Sequence, residues 1–475
     1  MRLRLMIIVL MTAALGAAPG YGADSDAGSN AVRRPNIVFV MTDDQARWAV
    51  GAYGNPEVKT PNLDRLARDG ALFLNAFTAT PVCSPSRASF MTSLYPTEFG
   101  IYDWINHKVE PDLGLAPSAI TWPELLKANG YATAFFGKWH LGREPRFHPT
   151  RAGFDHFYGF LEGGNQPINP TLEVEGQTRK VEGAIADLIV DDAIRWLDAR
   201  HAARNAQPFL LTIHFREPHA PYAPTPEIDS VPFANLDPTL PKVEGLPTDR
   251  VKTLYRQYYA SVHSVDRNVG RVLDQLDRLK LTDDTIVIFA SDHGYMIGHH
   301  GLHHKGNASW LLKGKTGHRP NMFDDSIRIP LIVRWPGVVK PGARIADATR
   351  NIDLFPTILD MTGLGVPANL NLRGRSVVRQ LRGETVADWD QTVFGQYDMH
   401  HTQNARMRMI RTPRWKLIRH FEPNAADELY DLANDPGELD NLIDSQAPTA
   451  TEAKRDLGSR LDAWRKGIGD LRNDL

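Results

Sequence analysis

A second cysteine is missing from this chain of 475 residues: Cys83 stands alone. That excludes an internal disulfide framework and leaves stability to a hydrophobic core, with a metal as the further support. Excess charge of either sign is missing too, since 54 Lys and Arg face 56 Asp and Glu for a formal charge of −2. Such a balance gives no global attraction to nucleic acid or to an anionic membrane, so a charged ligand has to be recognised locally. Repeats are absent, and the only low-complexity stretch is a short polar link over 24–32. A long apolar run is also absent. The run from Leu5 to Ala18 follows Arg2 and Arg4, leads into small residues at Gly22-Ala23, and is short for a membrane span. It predicts a signal peptide over 1–23, no membrane anchor, and a product in the periplasm or secreted. The remaining length suits one large domain with a smaller one, or two or three ordinary domains, and we expect the division 33–385 and 386–475.

What the chain does contain is a series of buried-strand signatures, each ending in ionisable groups. Asn36 to Met41 is a continuous apolar, β-branched run of the kind buried on both faces of a parallel sheet, and it ends in Thr42-Asp43-Asp44. Tyr131 to Phe136 ends in Gly137-Lys138-Trp139-His140, Phe209 to Phe215 in Arg216-Glu217-Pro218-His219, and Thr285 to Ala290 in Ser291-Asp292-His293-Gly294. Helix-like segments from Pro61, Trp122, Ile185 and Val251 alternate with them. This order predicts an α/β sheet whose site lies at the carboxyl ends of its strands. Ile327 to Pro336 reads as a further strand. From Asp388 onward shorter alternating runs predict a small antiparallel sheet, followed by a helix from Thr449.

The strand-end residues make a coherent chemical set. Asp43 and Asp44 repel one another and lose water, so they require positive compensation. With Asp292 and His293 they suit a divalent cation such as Ca2+ or Mg2+. Arg87, Lys138, His140 and His219 add positive charge and proton donors, as a tetrahedral sulfate or phosphate ester needs. The histidine-rich loop Gly298 to Asn307 lacks the one-face spacing of helical zinc ligands. Its informative element is Lys305-Gly306, where a flexible glycine lets the lysine reach back over the sheet edge. Pro85 lies just inside a helix start, whose unpaired N–H groups favour an anion beside Cys83.

Cys83-Ser84-Pro85-Ser86-Arg87, together with Gly137-Lys138-Trp139-His140 and the split Asp43-Asp44 and Asp292-His293 pairs, resembles the type I, formylglycine-dependent sulfatase family. The resemblance covers nearly the whole mature chain. It implies an alkaline phosphatase-like fold: a large mixed, mostly parallel sheet sandwiched by helices, with a smaller C-terminal antiparallel sheet and helix. It also implies that a maturation enzyme oxidises Cys83 to formylglycine, and that Asp43, Asp44, Cys83, Asp292 and His293 hold Ca2+, with Mg2+ or Mn2+ as alternatives. In that family pattern the aldehyde hydrate attacks sulfur with help from Asp292, while Arg87 stabilises the alkoxide. Lys138 and Lys305 bind sulfate oxygens, His219 protonates the leaving alcohol, and His140 removes the proton that lets sulfate depart. Many relatives have Asn where this chain has His293, a poorer ligand for Ca2+.

Export and the aromatic and basic loops point to a sulfated saccharide as substrate. The expected outer contacts are Trp104, His107, His304, Trp310, Arg319, Asn321, His400 and His401. Two other functions fit less well. A phosphodiesterase or phosphonate monoester hydrolase of the same superfamily would share the oxidised cysteine. An exported glycan-binding protein should lack catalytic residues, whereas every expected one is present.

Overall fold

The computed structural model describes residues 34–423 and 425–471. The expected signal peptide over 1–23, and the polar link over 24–32, lie outside the described residues. Ten strands form the main sheet, in the spatial order Ala343–Ile345, Ala71–Phe73, Leu331–Arg334, Thr285–Ser291, Asn36–Asp43, Phe209–Pro218, Ala132–Lys138, His156–Phe160, Thr171–Val174 and Gln177–Lys180. The four charge-terminated runs lie side by side at its centre and pair in parallel with one another. Leu331–Arg334 runs antiparallel to Thr285–Ser291, so the sheet is mixed.

The alternation of a strand explains why Asn36–Asp43 carries no polar residue in its middle. Ile37, Phe39 and Met41 enter one apolar cluster with Phe90, Trp122 and Phe355, whereas Val38 and Val40 enter a second with Leu66, Ile189 and Val269. Helices Cys83–Thr92, Trp122–Ala128 and Leu354–Met361 therefore cover one face, and Pro61–Arg68, Ile185–Ala202 and Thr248–Arg278 the other. Register brings the strand ends level: Met41 lies opposite both Ala290 and His214, and Gly137 opposite His214.

The single strand expected over Ile327 to Pro336 is divided. Arg328–Ile329 pairs with Ala76–Phe77 in a small separate sheet, and Leu331–Arg334 joins the main one. Pro330 between them has no N–H to donate to a ladder, which favours a break there.

Strands Val393–Met399, Ala405–Arg411, Trp415–His420 and Glu428–Asp431 form an antiparallel meander with helix Pro448–Gly467 against one face. The other face packs with Phe77, Val82, Met296 and Phe323, from segments that connect the strands of the main sheet. Ion pairs cross this junction. Arg319 reaches Glu428 at 3.0 Å, and His420 and Tyr430 hold the same carboxylate at 2.7 and 2.6 Å. Burial alone would raise the Glu428 pKa, but His420, Arg319 and Tyr430 bring it down to about 2. A carboxylate depressed in the folded state contributes stability above its unfolded pKa and loses it as pH falls through the folded one. Glu428→Gln is therefore expected to flatten the fall of Tm between about pH 4.3 and pH 2 relative to wild type. Parallel Tm–pH curves for the two proteins would contradict this.

Candidate active site

Cys83 opens helix Cys83–Thr92, whose side chains are all buried. The next turn fastens the helix to the strand ends. The Ser86 hydroxyl donates to the Asp292 carbonyl, and Arg87 Nε donates to Asp292 Oδ2 at 3.1 Å. Arg87 Nη2 lies 3.1 Å from Asp292 and 3.9 Å from Asp43, while Nη1 donates to the Lys138 carbonyl at 3.1 Å. Arg87 thus neutralises carboxylates and fixes their positions.

Two lysines complete the floor. Gly137 has φ 108°, and a Cβ there would lie 2.0 Å from the His214 carbonyl oxygen, so only glycine lets the chain turn into Lys138. Lys138 Nζ then pairs with Asp43. Lys305 Nζ donates to Asp44 Oδ1 at 2.5 Å and lies 3.1 Å from Cys83 Sγ. Gly306 serves close approach rather than the expected flexibility, since its N–H donates to the Pro81 carbonyl at 3.1 Å and a Cβ would meet Pro81 at 2.5 Å.

A cation fits the space between these groups. Asp43, Cys83, Asp292 and His293 each bring a donor atom within 4.8 Å of the others. His293 Nε2 lies 3.4 Å from both Asp44 and Asp292. Its Nδ1–H donates to the Gly294 carbonyl at 2.9 Å, which leaves the Nε2 lone pair facing the carboxylates. Asp43 Oδ1, Asp44 Oδ2 and His293 Nε2 are buried with no hydrogen-bond partner among the described residues. Orphaned acceptors of this kind are costly unless a positive ion sits between them.

Electrostatics around residue 83 follow from the same arrangement. Burial alone would push the Cys83 thiol up, but Lys138 and Lys305 pull it down to about 6. Burial lowers the pKa of His140 and of His219, and for His219 the Asp44 and Asp43 carboxylates oppose it. His140 Nε2–H donates to the Ile105 carbonyl at 3.1 Å, so Nδ1 is its basic nitrogen. His219 Nδ1–H donates to the Ala220 carbonyl at 2.7 Å, and its Nε2 lies 3.9 Å from Asp44.

Above Cys83 opens a cavity of about 520 Å3, with His140, His219 and Lys305 on its wall. Of the expected outer contacts, Trp104, His107 and His304 line it. Five others do not. Arg319 is drawn away to Glu428, and Asn321 is buried and donates to the Lys305 carbonyl at 2.9 Å, which positions the lysine. Trp310 packs in the apolar cluster beneath the C-terminal sheet, with Lys315 over its ring at 4.0 Å. His400 and His401 turn toward Glu110, 3.0 Å from each. The wall also includes Asn106, Lys108, Arg143, Glu162 and His318, which sequence reasoning missed. They lie in loops without periodicity, so no local pattern marks them.

Known proteins share this architecture. The family model described as Sulfatase matches residues 35–364, and one described as N-sulphoglucosamine sulphohydrolase, C-terminal, matches residues 317–467. An ulvan-active sulfatase of Formosa agariphila is 30% identical, over 92% of this chain and 82% of its own. The steryl-sulfatase of Mus musculus is also 30% identical, over 97% of this chain and 86% of its own. A structure solved in complex with its substrate D-glucosamine-2-N,6-O-disulfate superposes with a TM-score of 0.79 at 26% identity, covering 93% of this chain and 99% of that one.

Proposed function

Since the chain belongs to the sulfatase family and is a sulfuric ester hydrolase, we propose that it acts on a sulfated glycan outside the cytoplasm through a formylglycine made from Cys83. Inorganic sulfate and an alcohol would be the products. The observation that carries the glycan is the cavity wall: Asn106, Lys108, Arg143 and Glu162 beside Trp104 offer hydrogen bonds and one aromatic face, as sugar rings require. A rigid apolar sterol would offer Asn106 and Lys108 no hydrogen bond and would cover the Arg143–Glu162 pair, 3.6 Å apart, without bonding to it. The ulvan-active relative and the glucosamine disulfate complex support the same class. Export rests on the expected leader.

Asp43, Asp44, Asp292, His293 and residue 83 would hold Ca2+ or a similar divalent ion, which supplies Lewis acidity toward sulfate when bound. The hydrated aldehyde of residue 83 supplies the nucleophilic hydroxyl, with a second hydroxyl left over to expel sulfate. The protein's own groups do the rest. Lys138 and Lys305 bind sulfate oxygens and offset the charge that builds on them. Asp292, held by Arg87, accepts the proton of the attacking hydroxyl. His140 Nδ1 takes a proton from the remaining hydroxyl, and His219 delivers one from Nε2 to the leaving alcohol. The Asp44 and Asp43 carboxylates oppose the burial that lowers the His219 pKa, and the negative charge of a bound ester would act in the same direction as theirs.

A general acid matters most when the leaving group is poor. His219→Ala is therefore expected to lower kcat on a saccharide sulfate by about 10^2 to 10^4-fold, and on an aryl sulfate with an acidic phenol far less. Equal losses on both substrates would remove the assignment. The functional proposal itself is tested by sulfate release from a panel of sulfated saccharides, set against a steryl sulfate and a phosphonate monoester. Turnover of the steryl sulfate or the phosphonate alone would overturn it.

A further inference from the structure

Outside the active site, the turn after strand Val393–Met399 brings two consecutive histidines against one carboxylate. His400 Nε2 lies 3.0 Å from Glu110 Oε1, and His401 Nε2 lies 3.0 Å from Glu110 Oε2. Buried Asp103 holds the turn in place, since its Oδ2 accepts the backbone N–H groups of His400 at 2.9 Å and His401 at 3.3 Å. Donor atoms of Asp103, His400 and His401 all lie within 4.8 Å of one another.

One detail is poorly explained by an ordinary ion pair, and the orientation of His400 bears on it. His400 Nδ1 lies 3.3 Å from the Asp398 carbonyl, which can only accept, so Nδ1 carries the proton. Nε2 of the same ring lies in hydrogen-bond reach of Glu110 Oε1, where the imidazolium donates to the carboxylate and the neutral ring turns a lone pair toward it. A carbonyl that holds the Nδ1 proton is the arrangement that orients a metal-binding imidazole. His401 Nε2 is the detail that an ordinary pair leaves over. With its side chain only 7% exposed, it has no hydrogen-bond partner among the described residues despite the 3.0 Å approach to Glu110. The atoms are close but not aligned for N–H donation to oxygen. Ligands of a shared ion have this geometry, because their lone pairs converge on a point beside the line between them. In a tetrahedral zinc site, bonds of about 2.0 to 2.2 Å place neighbouring ligand atoms roughly 3.3 to 3.6 Å apart, a small adjustment from the 3.0 Å between each histidine and Glu110.

We propose that His400, His401 and Glu110 form a second metal site, for Zn2+ or a similar nitrogen-preferring divalent ion, that ties the C-terminal subdomain to the wall of the substrate cavity. Two imidazoles select against Ca2+, which prefers oxygen ligands. Trp104 connects the site to the cavity: its ring centroid lies 4.5 Å from that of His401, and it lines the recess above Cys83.

The test is zinc stoichiometry of the full chain, dialysed against Zn2+ in excess Ca2+ and measured by elemental analysis. Wild type is expected to retain one Zn2+ per chain that Glu110→Gln and the double variant His400→Ala, His401→Ala do not. Co2+ offered to wild type should give the intense visible absorption of tetrahedral nitrogen and oxygen ligation, a readout independent of any variant's folding. Retention of the same Zn2+ by both variants would overturn the site. So would wild type that binds no Zn2+ and shows only octahedral Co2+, which would leave an imidazolium–carboxylate pair.

Discussion

Cys83→Ala is expected to lower kcat by on the order of 10^4-fold or more, the scale seen when a nucleophile is removed from an otherwise intact site. Sulfate binding should persist, because Lys138 and Lys305 are anchored by Asp43 and Asp44 and not by residue 83 alone. Cys83→Ser separates two features of the chemistry. A serine hydroxyl can attack sulfur, but no second hydroxyl remains to expel the sulfate, so at most one sulfate should be transferred per enzyme. Steady turnover by Cys83→Ser at the wild-type rate would contradict the role given to residue 83.

Lys416→Met is expected to destabilise the fold by about 3 to 5 kcal/mol, the range for breaking a buried ion pair by removing one partner. Lys416 is fully buried and pairs with Asp324 at 3.0 Å and Glu438 at 2.6 Å. Asp324 keeps Arg411 at 2.8 Å when the lysine goes, so the loss falls on Glu438. Burial, with the Asp324 carboxylate beside it, raises the Glu438 pKa to about 7 against the pull of Lys416. Without the lysine it would fold protonated, and the destabilisation should therefore be smaller at pH 5 than at pH 8. Adding Glu438→Gln to Lys416→Met should recover part of the loss, as coupled neighbours do. Denaturant unfolding that gave less than about 1 kcal/mol for Lys416→Met would show that the junction does not depend on these charges.

The centre of the fold was legible because its strands are buried on both faces. Ile37 to Met41 has to be apolar at every position, and such a run stands out where an alternating strand does not. The ionisable groups of the site were legible for a related reason: Asp43, Lys138, His219 and Asp292 follow directly on such runs, so a local pattern names them. The cavity wall had no such marker. Lys108, Arg143, Glu162 and His318 come from loops that meet only when folded. Arg319 shows how a loop cation misleads. Its partner Glu428 lies 109 positions further along the chain, and nothing near Arg319 signals that its charge is already used. Likewise His400 and His401 read as sugar contacts until Glu110 is seen beside them.

The most direct test of the proposed chemistry is the mass of the peptide spanning residue 83, taken from protein purified from its native host and paired with sulfate release by the same preparation. Conversion of the thiol to an aldehyde replaces the sulfur and two hydrogens with a single oxygen. A peptide lighter by that difference, in a preparation that releases sulfate from a sulfated saccharide, is the predicted result. An intact thiol in protein that turns over at full rate would contradict the formylglycine mechanism and leave Cys83 as a metal ligand only.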